Sequence, residues 1–136
     1  MTEMTLQATP QALDRVLAFI DEKLEANSCP QNVQVQIDIA VEEIYVNIAH
    51  YAYRPDMGPV TIRVEMGGEP LQAAITFVDH GVPYNPLAKA DPDLTLSAQE
   101  RQIGGLGIFM VKQSMDDVRY AYRDGSNLLT LKKTLL

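Results

Sequence analysis

The chain has 136 residues, 46% of them hydrophobic, with 11 Lys or Arg against 18 Asp or Glu and a formal charge of −7. That length suits one domain spanning residues 1–136, with a core of its own, and leaves no room for a second. The acidic balance speaks against a basic nucleic-acid-binding face. No apolar run approaches the ~20 residues of a membrane span, and Met1-Thr2-Glu3-Met4 does not open a secretory signal, so a cytoplasmic protein is expected. The single cysteine, Cys29, has no partner for an internal disulfide and no metal-ligand spacing around it.

Met4, Leu6 and Ala8 alternate with Thr5 and Gln7, which predicts a short half-buried strand over Met4 to Ala8. Thr9-Pro10 reads as an N-cap followed by proline at the first helical position. Leu13, Val16, Leu17, Ile20 and Leu24 then recur every three or four residues, predicting a helix over about Pro10 to Ala26. Asn27-Ser28-Cys29-Pro30 breaks it. From Gln31 the pattern is first ambiguous, because Val33, Val35 and Ile37 also alternate. Ile37, Ala40, Val41, Ile44 and Ile48 settle it as a helix that ends near Arg54, ahead of Pro55.

Val60, Ile62, Val64 and Met66 alternate with polar residues, and Gly67-Gly68-Glu69-Pro70 turns the chain into a returning strand over Leu71 to Val78. A long polar segment from Leu87 to Gln102 follows, about the length at which a structureless loop is uncommon unless it is functional, and it reads as a lid. Gly104-Gly105-Leu106-Gly107 leads into a third helical pattern. Asp116 to Arg123 and Leu128 to Lys133 form a last hairpin around Asp124-Gly125-Ser126-Asn127. The sum is a two-layer α/β sandwich, with about five strands in a mixed, mostly antiparallel sheet and helices on one face.

Three features carry chemistry. Glu43 and Asn47 stand four apart on the second helix, on one face and one turn separated, while Glu42 points elsewhere. Taken alone, they read as an ordinary exposed pair. Asp79 ends a strand two residues before Gly81, where a carboxylate could accept a hydrogen bond from an exocyclic amine; by itself the pair is a plain Asp-x-Gly turn. The Gly104-Gly105-Leu106-Gly107 cluster presents consecutive backbone N–H groups at a helix start, a combination suited to phosphate oxygens, although it is neither a Walker loop nor a Rossmann turn. His50 and His80 lack metal-ligand spacing.

In this order the features resemble the Bergerat-type ATP-binding fold of gyrase-like ATPases and histidine kinases. Ala40-Val41-Glu42-Glu43-Ile44-Tyr45-Val46-Asn47 with Tyr51-Ala52-Tyr53 is similar to the helix of bacterial anti-sigma-factor serine kinases. Asp79-His80-Gly81-Val82-Pro83-Tyr84-Asn85-Pro86 resembles their adenine box, and Gly104 to Val111 their phosphate box. The resemblance implies ATP and Mg²⁺ as cofactors. Asn47 would hold the metal through its amide oxygen, Asp79 would read the adenine amine, and Gly81 would line the base. Gly104, Gly105, Leu106 and Gly107 would cradle the phosphates, and Glu43 would act as general base toward a serine hydroxyl.

As partners the resemblance implies a sigma factor, which the protein would sequester, and a STAS-type antagonist, which it would phosphorylate. A homodimer is expected only on the resemblance. Ile103, in the place where histidine kinases carry a first glycine, points to the anti-sigma branch, whereas Tyr51 stands where that branch often has histidine. Lys89, Glu100 and Arg101 receive no role, and Lys112 reads as a surface lysine. A nucleotide-binding, partner-switching module without phosphotransfer stays open as the second reading, because binding needs only Asn47, Asp79 and the glycines.

Overall fold

The computed structural model describes residues 1–88 and 105–135; the lid segment from 89 onward and Gly104 lie outside the described residues. Five strands form one sheet: β1 (Thr2–Gln7), β2 (Pro59–Gly67), β3 (Gln72–Asp79), β4 (Asp117–Arg123) and β5 (Ser126–Thr134). Their order across the sheet is β1-β2-β3-β5-β4, and every pairing is antiparallel. The expected mixed character is therefore corrected. β2–β3 and β4–β5 are hairpins, and β5 inserts beside β3, which leaves β4 at an edge.

Three helices, α1 (Leu13–Ala26), α2 (Gln31–Tyr51) and α3 (Gly105–Ser114), cover one face. Val60, Ile62 and Val64 of β2, Ile75 and Phe77 of β3, and Leu129 and Leu131 of β5 project into the core, and their alternate neighbours stay partly exposed or polar, except Val78, which is buried as well. On the opposite face Thr5 pairs with Thr61 at 2.8 Å and Thr76 with Thr130 at 3.0 Å, so β-branched residues serve the strands without leaving that face apolar.

The helical period prevails in the ambiguous stretch after Gln31. Val33 and Ile37 are buried, while Val35 is 49% exposed, as a 3.6-residue repeat requires and a strand would not. α1 starts differently from expectation. Pro10–Ala12 form a 3₁₀ turn and the Thr9 side chain makes no capping bond. The Thr9 carbonyl instead accepts the Ala12 N–H at 3.1 Å and the Tyr45 hydroxyl at 2.6 Å. Tyr45 is wholly buried, so that bond satisfies the one polar atom it brings into the core.

Between α1 and α2 the carboxyls of Asp21 and Asp38 are neighbours, and Oδ1 of each is buried with no partner among the described residues. Burial first, then the Asp21 carboxyl and the charge of Glu25, push the Asp38 carboxyl from 3.8 up to about 8. The folded chain keeps this proton over a range in which the unfolded chain has released it, so the pair contributes stability that is lost as pH rises from about 4 toward about 8. Asp38→Asn is expected to raise the thermal midpoint at pH 8 by a few degrees and to flatten its decline between pH 5 and pH 8. Melts of both proteins at the two pH values test this, and parallel pH profiles would refute it.

Candidate functional site

A cleft of about 480 Å³ opens between the sheet and the C-terminal half of α2. Its walls are apolar: Ile44 and Ile48 come from α2, Phe77 and Leu129 from the sheet, and Ile108 from α3. The polar groups that converge on it are Asn47, Asp79, Tyr120 and Asn127. An apolar slot with a few fixed polar groups suits a planar, partly polar ligand. No group of three or more His, Cys, Asp or Glu side chains among the described residues could hold a metal ion, and no helix among them is long and apolar enough to cross a membrane.

Asp79 ends β3 and is only 5% exposed. Its Oδ1 accepts the Gly81 N–H at 2.9 Å and the Asn127 side-chain amide at 3.0 Å. The register pairs Asp79 with Asn127 across β3 and β5, which is why two polar residues meet inside an apolar layer. Tyr53 braces the same corner from the end of α2: its hydroxyl donates to the Pro59 carbonyl and accepts the His80 N–H, at 2.6 and 2.7 Å. His80 itself points outward, with Nδ1 2.8 Å from Ser126 Oγ.

Gly81 lies against the end of α2 and not on the cleft wall. A Cβ there would lie 2.1 Å from the Ala52 carbonyl oxygen, and the neighbouring Val82 N–H bonds that same carbonyl at 3.1 Å. Only glycine lets the 80–82 backbone close under the helix end and satisfy its carbonyl. Beyond Gly81, Val82, Pro83 and Tyr84 form the outer wall.

Glu43 and Asn47 are both half-buried on α2, and Asn47 Nδ2 lies 3.5 Å from Glu43 Oε1, which leaves the Asn47 amide oxygen unused by that contact. They face different spaces. Asn47 lines the main cleft, and Glu43 opens onto a second groove between α2 and α3. Gly107, in the first turn of α3, abuts the Glu43 carboxyl so closely that a Cβ would lie 2.0 Å from Oε1. A carboxylate is thereby seated one turn from a carboxamide and next to a helix start. Of the expected phosphate cradle, Gly105, Leu106 and Gly107 belong to the opening of α3, and Gly104 lies outside the described residues.

Sequence reasoning thus named Glu43, Asn47, Asp79 and Gly107, which the fold gathers around α2 and the cleft. It missed Asn127 and Tyr120, and it gave no role to Tyr53 and Tyr84, which stand within its motifs. Asn127 sits in a stretch that reads simply as a turn, and nothing local signals its pairing with Asp79.

Sheet order, helix layer and cleft together define a two-layer α/β domain whose ligand space lies between a long helix and a central strand ending in aspartate. The family model described as a Histidine kinase-like ATPase domain matches residues 6–133, and the chain belongs to this family. It is similar to the serine/threonine-protein kinase BtrW of Bordetella bronchiseptica, at 28% identity over 70% of this chain and 66% of that protein. It is also similar to the serine-protein kinase RsbW of Bacillus mycoides, at 30% identity over 69% of this chain and 60% of the relative, and to that of Bacillus cereus strain B4264, at 31% over the same shares. The chain spans less than two thirds of the length of these curated relatives.

Proposed function

We propose that this chain is a cytoplasmic Mg·ATP-dependent protein serine kinase that acts as an anti-sigma factor, phosphorylating a STAS-type antagonist and sequestering a sigma factor. The observation that carries the reading is the seating of Glu43 against Gly107, one turn from Asn47 and beside a cleft that ends on Asp79. The relatives named as serine kinases support the phosphotransfer, and membership in an ATPase-domain family supports ATP as donor.

Asp79 accepts the amino group of the base, and the apolar walls take its faces. The first turn of α3 offers N–H groups and its dipole to the phosphates. Asn47 has a hard amide oxygen to offer a cation, and a single protein ligand fits Mg²⁺, which keeps waters and phosphate oxygens in its shell. Bound Mg²⁺ would supply neutralisation of phosphate charge. Glu43 orients the acceptor serine hydroxyl and takes its proton as the new bond to the γ-phosphorus forms and the bond to ADP breaks. The second groove, onto which Glu43 opens, gives the acceptor an approach separate from the base.

Mg·ATP at about 100 times its dissociation constant is expected to stabilise the fold by about 2.7 kcal/mol, a rise of several degrees in the thermal midpoint. Incubation with labelled ATP and a STAS-domain protein is expected to place label on a serine of that protein. No thermal shift at millimolar Mg·ATP would refute the nucleotide site. A shift without labelling of any STAS protein would reduce the chain to a nucleotide-dependent binding module.

A further inference from the structure

Resting on the nucleotide reading above, we infer that Asn127 is the positioning residue that makes Asp79 a one-sided acceptor for the base, and so sets the preference for a 6-aminopurine. Asn127 is 6% exposed, and the hydrogen-bonding capacity of its side chain is used inside the protein. Nδ2 donates to Asp79 Oδ1 at 3.0 Å and to the Val82 carbonyl at 2.9 Å, with the Gly81 carbonyl at 3.5 Å. Oδ1 accepts the Tyr84 N–H at 3.1 Å and the Tyr120 hydroxyl. The Tyr84 N–H can only donate and the Val82 carbonyl can only accept, so the amide has one workable orientation.

Asn127 therefore has no group left with which to read a ligand, and it acts through Asp79. The Asp79 Oδ1 atom already takes two donors, from Gly81 and Asn127. Oδ2 is left as the acceptor for the cleft. A fixed acceptor welcomes an exocyclic amino group and repels a carbonyl at the same place, which separates adenine from guanine. The same amide ties β5, β4 and the 82–84 wall to Asp79, so the outer wall and the carboxylate keep one spacing.

Asn127→Asp keeps the shape of the side chain but sets an oxygen against two acceptors, Asp79 Oδ1 and the Val82 carbonyl. Tyr120→Phe removes only the hydroxyl that reaches Asn127 Oδ1. Calorimetric titration of the full chain with Mg·ATP and with Mg·tripolyphosphate separates reading of the base from holding of the phosphates. In Asn127→Asp the preference for ATP over tripolyphosphate is expected to fall about 10- to 100-fold, with tripolyphosphate affinity within about threefold of the parent; in Tyr120→Phe the preference is expected to fall about 3- to 10-fold. A purely structural role would weaken both ligands together.

An unchanged preference in Asn127→Asp overturns the inference. Should that variant give no cooperative melt, an unchanged preference in Tyr120→Phe overturns it, and a reduced one supports it. A parent protein that binds ATP no better than tripolyphosphate overturns the base-reading role of Asp79 itself, and the inference with it.

Discussion

Glu43→Gln is expected to lower transfer of phosphate to a serine acceptor by about 10²- to 10⁴-fold while leaving Mg·ATP affinity within about threefold. Glutamine keeps the length of the side chain and can still accept the Asn47 amide contact, but it cannot take a proton. Gly107→Ala tests the same assignment from the other side. Its new methyl group would lie 2.0 Å from Glu43 Oε1, and that atom is the tip of a flexible side chain, so the carboxylate should swing aside before the fold gives way. The two variants are expected to share a kinetic defect and to keep melts close to the parent's. Turnover that survived in Glu43→Gln would remove the general-base role, and a defect confined to ATP affinity would shift Glu43 to nucleotide binding.

Gly81→Ala is expected to fail in the opposite way. The obstacle to its Cβ is the Ala52 main chain, with the carbonyl oxygen at 2.1 Å and the carbonyl carbon at 2.6 Å, neither of which can rotate away. The 80–82 turn must lift from the end of α2, giving up the Val82 to Ala52 hydrogen bond and the bond from the Gly81 N–H to Asp79. A cost of about 1–3 kcal/mol follows, roughly 5–12 °C in the thermal midpoint, together with loss of most of the ATP affinity because Asp79 loses one of its two anchors. Thermal melts with and without Mg·ATP check both parts. An unaltered midpoint would mean that the turn is not held against α2.

Much of this molecule is written locally in the chain. α1 and α2 carry 3.6-residue apolar stripes, β2 alternates cleanly, and each predicted hairpin has its own glycine-bearing turn. Glu43 and Asn47 could be paired from their spacing, because the geometry of a helix fixes what stands one turn away. The antiparallel order with β5 beside β3 was not legible, since which strands become neighbours depends on packing between distant segments. Asn127 and Tyr120 were lost for that reason: their partners on β3 and in the 82–84 wall lie far off in sequence. The contact between Gly81 and the Ala52 main chain was not legible either: the residues alone read as a plain Asp-x-Gly turn, and the partner under the helix end lies far off in sequence.

The insertion of β5 between β3 and β4 also has a consequence for how the chain matures. The bond between Asp79 and Asn127 joins residues 48 apart, and Asn127 arrives on the last strand of the sheet. A growing chain that has made β2 and β3 but not β5 has Asp79 at an open edge, its backbone paired with Val60 and its carboxylate within reach of the local Gly81 N–H. Pairing across such a separation is slow compared with helix or hairpin closure. On the proposed site, a nucleotide that requires the finished corner would bind only after this pairing and then stabilise it by mass action, so the supply of that nucleotide would favour completed sheets over half-built ones.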